Sequence, residues 1–178
     1  PKTVDIDVIK RWEGDEEVYA QSRPPQGVEY VIQYRIVGLT NESDWHDIPF
    51  QPSADVANEQ AWKTIYSDEL SSQDYTSHNT VGTAPENATD EDLRNIDWNI
   101  KWEGLPIYER GMVGVKFEYR VLEKGISYAN GLNGLFNYAT TYNGDLNSEK
   151  YLPDPLTPTD EHENQTFTET IYNSLRML

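Results

Sequence analysis

The chain has 178 residues, enough for one sizeable hydrophobic core, and a formal net charge of −17. So acidic a chain repels phosphate backbones and anionic headgroups, so neither nucleic acid nor a membrane surface is expected among its partners. Cysteine is absent, which excludes disulfides, thiolate metal sites, thiol nucleophiles and Cys–Gln thioesters.

The three histidines, His46, His78 and His162, are far apart in polar sequence, so no metal site and no cofactor is expected. No apolar run is long enough to span a membrane. Pro1-Lys2-Thr3-Val4-Asp5 lacks the pattern of a signal peptide, and the C-terminus lacks a sorting signal. The sequence is expected to be one domain excised from a longer protein.

Strand alternation dominates from the start of the chain. Val4, Ile6, Val8 and Trp12 share one phase of the first segment. Val28, Tyr30, Ile32, Tyr34 and Ile36 share one phase of the second. A polar stretch, about 41–95, follows; Ala61–Tyr66 reads as a further strand within it, and Thr89-Asp90-Glu91-Asp92-Leu93 as the opening of a short helix. Ile96, Trp98, Ile100 and Trp102 then alternate with polar residues, as do Val115, Phe117, Tyr119 and Val121. A second polar stretch, about 127–166, is rich in Asn, Gly, Tyr and Pro. Phe167, Ile171 and Leu175 mark the last strand, with Glu169 as an exception in the same phase. Apolar-in, polar-out alternation over these segments predicts an all-β fold, an antiparallel β-sandwich with two long inserted loops.

Three polar residues stand where the alternation calls for apolar ones. Lys10 is in phase with Val8 and Trp12, Glu123 with Val121, and Asn173 with Ile171 and Leu175. An amine, a carboxylic acid and a carboxamide on three strands thus point toward one core. Burying them apart is costly. Burying them together lowers the amine's pKa and raises the acid's, so both tend to their neutral forms. A neutral Lys10 amine is a nucleophile. A protonated Glu123 can polarise the Asn173 carboxamide and carry a proton to its leaving nitrogen. The product is a Lys–Asn amide plus ammonia. Two plainer readings stay open: strand-end side chains that reach water, or an ordinary, partly buried Lys–Glu ion pair.

The sequence around these residues resembles the Cna-B-type domain of Gram-positive surface adhesins and sortase-assembled pilins. Ile6-Asp7-Val8-Ile9-Lys10-Arg11-Trp12 is similar to that family's first strand, and Arg23-Pro24 to the step into its second. Trp98-Asn99-Ile100-Lys101-Trp102-Glu103-Gly104-Leu105-Pro106 resembles its Trp strand, with Tyr108 following. Tyr119-Arg120-Val121-Leu122-Glu123 and Thr170-Ile171-Tyr172-Asn173-Ser174 resemble its Glu and closing Asn strands. The patches run in family order from one end of the chain to the other. The resemblance implies an autocatalytic isopeptide bond between Lys10 and Asn173, assisted by Glu123. It implies a non-enzymatic stalk or pilin-type module of an extracellular, cell-wall-anchored surface protein, with neighbouring domains of the same protein as partners. Asn164 and Asn147 are alternative cross-link partners, though neither shows strand phase.

A different function class rests on 12 Tyr and 5 Trp. In that reading the inserted loops bind a host glycan or matrix protein, with Tyr75, Tyr128, Tyr138, Tyr142 and Tyr151 forming the platform. A hydrolase using paired carboxylates, or calcium at Asp90-Glu91-Asp92, has weaker support, because these acids have the look of solvated loop charge.

Overall fold

The alternating segments form strands. The computed structural model describes residues 3–17, 23–37, 63–64, 78–107, 116–125, 138–153 and 165–176. These residues contain strands β1 (Thr3–Glu13), β2 (Val28–Val37), β3 (Lys63–Thr64) and β4 (His78–Val81), then helix α1 (Asp90–Arg94). Strands β5 (Ile100–Pro106), β6 (Lys116–Gly125), β7 (Tyr138–Tyr142) and β8 (Gln165–Leu175) follow. The predicted Val115, His46, His162, Tyr75, Tyr108, Tyr128 and Asn164 lie outside the described residues.

The strands form two sheets, and the fold is an all-β sandwich. One sheet has the order β5-β1-β8-β7. In the other, β6 pairs along the whole of one edge of β2, while β4 and β3 share its opposite edge. Most pairs are antiparallel. β1 and β8 are parallel, in unbroken register from Val4↔Gln165 to Glu13↔Ser174. Parallel neighbours need a crossover connection; here the rest of the chain lies between the two strands.

The core lies between the sheets. Val4, Ile6 and Val8 of β1 meet Val28, Tyr30, Ile32 and Tyr34 of β2, with Trp98, Trp102, Phe117, Tyr119, Val121 and Ile171 among the other members. The phase read from the sequence therefore selects the correct faces. Trp12 is partly buried and makes edge-on contacts with Trp98 and Tyr138, at centroid distances of 4.9 and 4.8 Å. Where β1 meets β5, Glu103 and Gly104 together oppose the single residue Asp5. The buried Asp5 carboxylate accepts the Gly104 N–H at 2.8 Å.

Both inserted stretches contribute to the sheets. The first holds β3, β4 and α1, whose Thr89 N-cap and Asp92 form a reciprocal capping box. The second holds β7, which extends the first sheet beside β8. After β7 the chain turns at Asn143 and Gly144, both with positive φ (50° and 90°). Tyr151 then exchanges two backbone hydrogen bonds of 2.8 Å with Tyr119 of β6.

Gly82, at φ +79°, follows β4 and packs against the six-membered ring of Trp98, where a Cβ would collide with the ring. Gly82→Ala combines that collision with a strained backbone. It is expected to lower stability by about 2 kcal/mol or more, read as a lower urea midpoint with an unchanged m-value.

Candidate functional site

Near the C-terminal ends of β1 and β8, one polar cluster interrupts the apolar core. Lys10 and Asn173 are 5% and 0% exposed, and the Glu123 side chain is fully buried. The pairing of β1 with β8 sets Asn173 beside Trp12 and Ile171 beside Lys10. Lys10 and Asn173 therefore share a face, two residues apart in register. Glu123 reaches them from β6 in the opposite sheet.

The carboxyl group of Glu123 joins the other two. Its Oε1 accepts a short hydrogen bond from Lys10 Nζ and another, of 3.1 Å, from Asn173 Nδ2. Its Oε2 is buried without a hydrogen-bond partner. Around this centre the backbone is anchored by side chains. Asn99 Oδ1 accepts from Lys10 N at 2.9 Å, and the Tyr142 hydroxyl accepts from Glu123 N at 3.0 Å. Thr140 Oγ1 donates to Asn173 Oδ1 at 3.4 Å.

Desolvation is the largest influence on Lys10 and pulls its pKa down to about 8, against the attraction of Glu123, with Arg23 adding repulsion. Nζ also lies 4.7 Å from the centroid of the Trp12 ring. An amine so placed loses its proton far more readily than a surface lysine. A shift of the proton from Nζ to Glu123 removes two buried charges at once. It leaves a neutral amine close to a carboxamide whose nitrogen is held by the same acid.

Glu123 thus contacts both of the other residues singled out by strand phase, through the same oxygen. Asn147, the alternative partner within the described residues, is exposed beyond the Asn143-Gly144 turn. The aromatic platform is corrected by the structure: Tyr138, Tyr142 and Tyr151 are 2%, 8% and 6% exposed. Tyr138 and Tyr142 alternate inward along β7, and Tyr151 stacks on Phe167 at 4.9 Å. These three tyrosines are core and offer no ligand surface. Asp90, Glu91 and Asp92 are exposed in α1, where Asp92 serves the helix cap.

Two further acids with no solvent exposure, Glu169 and Asp15, escape the phase argument as functional groups. Glu169, the exception on β8, is fully buried beneath the Tyr151 hydroxyl, which donates to it, with Ser148 Oγ at 3.3 Å and Glu149 N at 3.4 Å. Burial pushes its pKa up despite these donors. Asp15 follows β1 in a turn, where alternation carries no information. It accepts from Arg23 Nε and Nη2 at 2.7 and 3.0 Å and from the Tyr138 hydroxyl at 2.8 Å. It pins the exit of β1 to the start of β7.

No protein-family profile matches the sequence, and no curated protein does. The chain is similar over 100% of its length to part of a solved structure, the pilus-presented adhesin Spy0125 (Cpa), at a TM-score of 0.37 and 9% identity. It spans 28% of that chain. No helix among the described residues is long and apolar enough to cross a membrane.

Burial raises the Asp15 pKa, but Arg23 and Tyr138 outweigh it and hold the carboxyl below its ordinary 3.8. Its contribution to stability is therefore complete above the unfolded-state value and is lost as pH falls through the folded one. Asp15→Asn is expected to lose about 2 kcal/mol at neutral pH. The difference from wild type narrows in acid, as measured by urea unfolding between about pH 2 and pH 7.

Proposed function

We propose that this chain is a Cna-B-type structural module of a Gram-positive cell-surface adhesin or pilus, closed by an autocatalytic isopeptide bond between Lys10 and Asn173 with Glu123 as proton carrier. The observation that carries the reading is the single Glu123 oxygen shared by the Lys10 amine and the Asn173 carboxamide nitrogen inside a desolvated core. The sequence patches described above, running in family order around the same three residues, support it independently.

The chemistry follows from the contacts. Glu123 takes one proton from Lys10, leaving a neutral amine. Nζ adds to Asn173 Cγ, and the C=O electron pair moves onto Oδ1. Glu123 gives its proton to Nδ2 and recovers the second proton from Nζ. The Cγ–Nδ2 bond breaks, and ammonia leaves with three hydrogens. One amide replaces another, so no oxidant, nucleotide or metal is consumed. Burial in a prefolded core supplies the effective molarity that an unactivated amide needs. Each molecule reacts once, so the module is not an enzyme.

The mechanical consequence follows from the topology. Tension that enters along β1 passes through the bond at Lys10 to Asn173 and leaves by the last residues of β8. The segment between residues 10 and 173 carries no load. Closing so long a loop stabilises the fold by on the order of 5 kcal/mol in the chain-entropy view. Such a module suits a stalk that holds a cell under flow. The loop-centred binding reading has lost three of its tyrosines to the core, and nothing among the described residues replaces them.

Lys10→Ala and Glu123→Ala are each expected to keep the full sequence mass, while wild type is short by one ammonia. A wild type of full mass removes the proposal. The pH dependence has a defined sign. The reacting pair needs one shared proton, and above about pH 8 the Lys10 amine gives that proton up to solvent. After refolding from denaturant, the rate of ammonia loss is expected to be flat over the pH unit or so just below about pH 8 and to fall above it, roughly tenfold per pH unit. A rate that climbs through this region would show that the carboxylate form of Glu123 is the active one.

A further inference from the structure

The Asn173 carboxamide has two ends, and different strands hold them. Its nitrogen faces Glu123 of β6, at 3.1 Å from Oε1. Its oxygen faces Thr140 of β7, with Oγ1 donating to Oδ1 at 3.4 Å. The orientation is chemically consistent, since the amide N–H groups meet an acceptor and the carbonyl meets a hydroxyl donor. The sequence pattern leads to an acid that polarises the carbonyl and also carries the proton. In the structure Glu123 is engaged at the two nitrogens, away from the oxygen on which negative charge builds.

The placement of Thr140 is fixed by its surroundings. β7 and β8 are antiparallel with Thr140 directly opposite Asn173. Tyr138 and Tyr142, two residues to either side, are buried and set the inward face. The end of the pair is locked: Asn143 N donates to Thr170 O at 2.7 Å, and Thr170 N donates to Asn143 Oδ1 at 2.8 Å. Threonine is β-branched, so few χ1 rotamers compete with the one aimed at Oδ1.

We infer that Thr140 is a further catalytic residue, the oxyanion donor for cross-link formation; this rests on the Lys10–Asn173 reading above. As Nζ bonds to Cγ, the carbonyl π pair moves onto Oδ1, and the Thr140 hydroxyl hydrogen-bonds the developing alkoxide without transferring its proton. Collapse of the tetrahedral intermediate returns the pair to the C=O bond as Nδ2 leaves with the proton from Glu123. A hydrogen bond of 3.4 Å to the neutral carbonyl shortens as that oxygen becomes charged, so its effect falls on the transition state. Proton transfer and oxyanion stabilisation are thereby divided between β6 and β7.

The test follows ammonia loss by intact mass after refolding from denaturant, for wild type, Thr140→Val and Thr140→Ser. Thr140→Val keeps the shape and removes the donor; it is expected to slow the reaction about a hundredfold. Thr140→Ser is expected to stay within a few-fold of wild type. Both substitutions are also made in the Lys10→Ala background, where no bond forms, and their urea midpoints are expected to agree. A Thr140→Val rate equal to wild type would overturn the inference and leave the cross-link standing. A slow Thr140→Val whose midpoint also collapses in the Lys10→Ala background would overturn it as well, by assigning the loss to folding. A wild type that never loses ammonia removes the cross-link and the oxyanion role together.

Discussion

The parallel pairing of β1 with β8 is the constraint on which the rest of the structure depends. It brings the first and last strands of the described chain into contact over ten consecutive register pairs, from Val4↔Gln165 to Glu13↔Ser174. A period of two then leaves no freedom in what faces the core. Once Val4, Ile6 and Val8 face the core, Lys10 faces it too. Once Ile171 is buried, so is Asn173. The same pairing makes β1 and β8 the two central strands of their sheet, with β5 and β7 as its edges. The cluster therefore forms in the best-protected part of the sandwich, and Glu123 closes it from the other sheet.

Such a cluster is a poor way to stabilise a fold by ordinary contacts. An ammonium and a carboxylate removed from water repay their desolvation only with excellent geometry, and Glu123 Oε2 has no partner at all. Apolar residues of similar volume would serve stability as well or better. What the arrangement does supply is a readily deprotonated amine, an acid in contact with two nitrogens, and an amide with a donor at its oxygen. In the proposed cross-link, conversion of these groups into a neutral amide removes the buried charges permanently, and the unfavourable electrostatics before reaction and the covalent closure after it become two aspects of one device. Asp15 with Arg23 and Tyr138 contrasts with it, since there the carboxylate oxygens are met by donors and the site is only structural.

Much of this was legible in the sequence, and the reason is periodicity. Strand alternation reports which face a residue occupies, so Lys10, Glu123 and Asn173 stand out among Val, Ile, Phe and Trp neighbours. Alternation does not report which strands are neighbours, so the β5-β1-β8-β7 order comes only from the structure. Nor does it reach residues in turns, which is why Asp15 gave no signal. Thr140 and the inward tyrosines of β7 were obscured by composition. Tyr138-Ala139-Thr140-Thr141-Tyr142 alternates correctly, but it is five residues long inside a stretch rich in Asn and Gly. Read as loop, its tyrosines looked available for a ligand; read as an edge strand, they are core. Glu169 was visible as an exception on β8, but its partners at 148–151 lie in irregular backbone with no period to reveal them.

The central claim is that one covalent bond joins β1 to β8, and peptide mapping of the wild-type domain tests it most directly. After complete proteolysis and tandem mass spectrometry, the account predicts a branched peptide in which the segment containing Lys10 is joined to the segment containing Asn173, lighter by one ammonia than the two together. Recovery of both segments as separate linear peptides of full mass would contradict it.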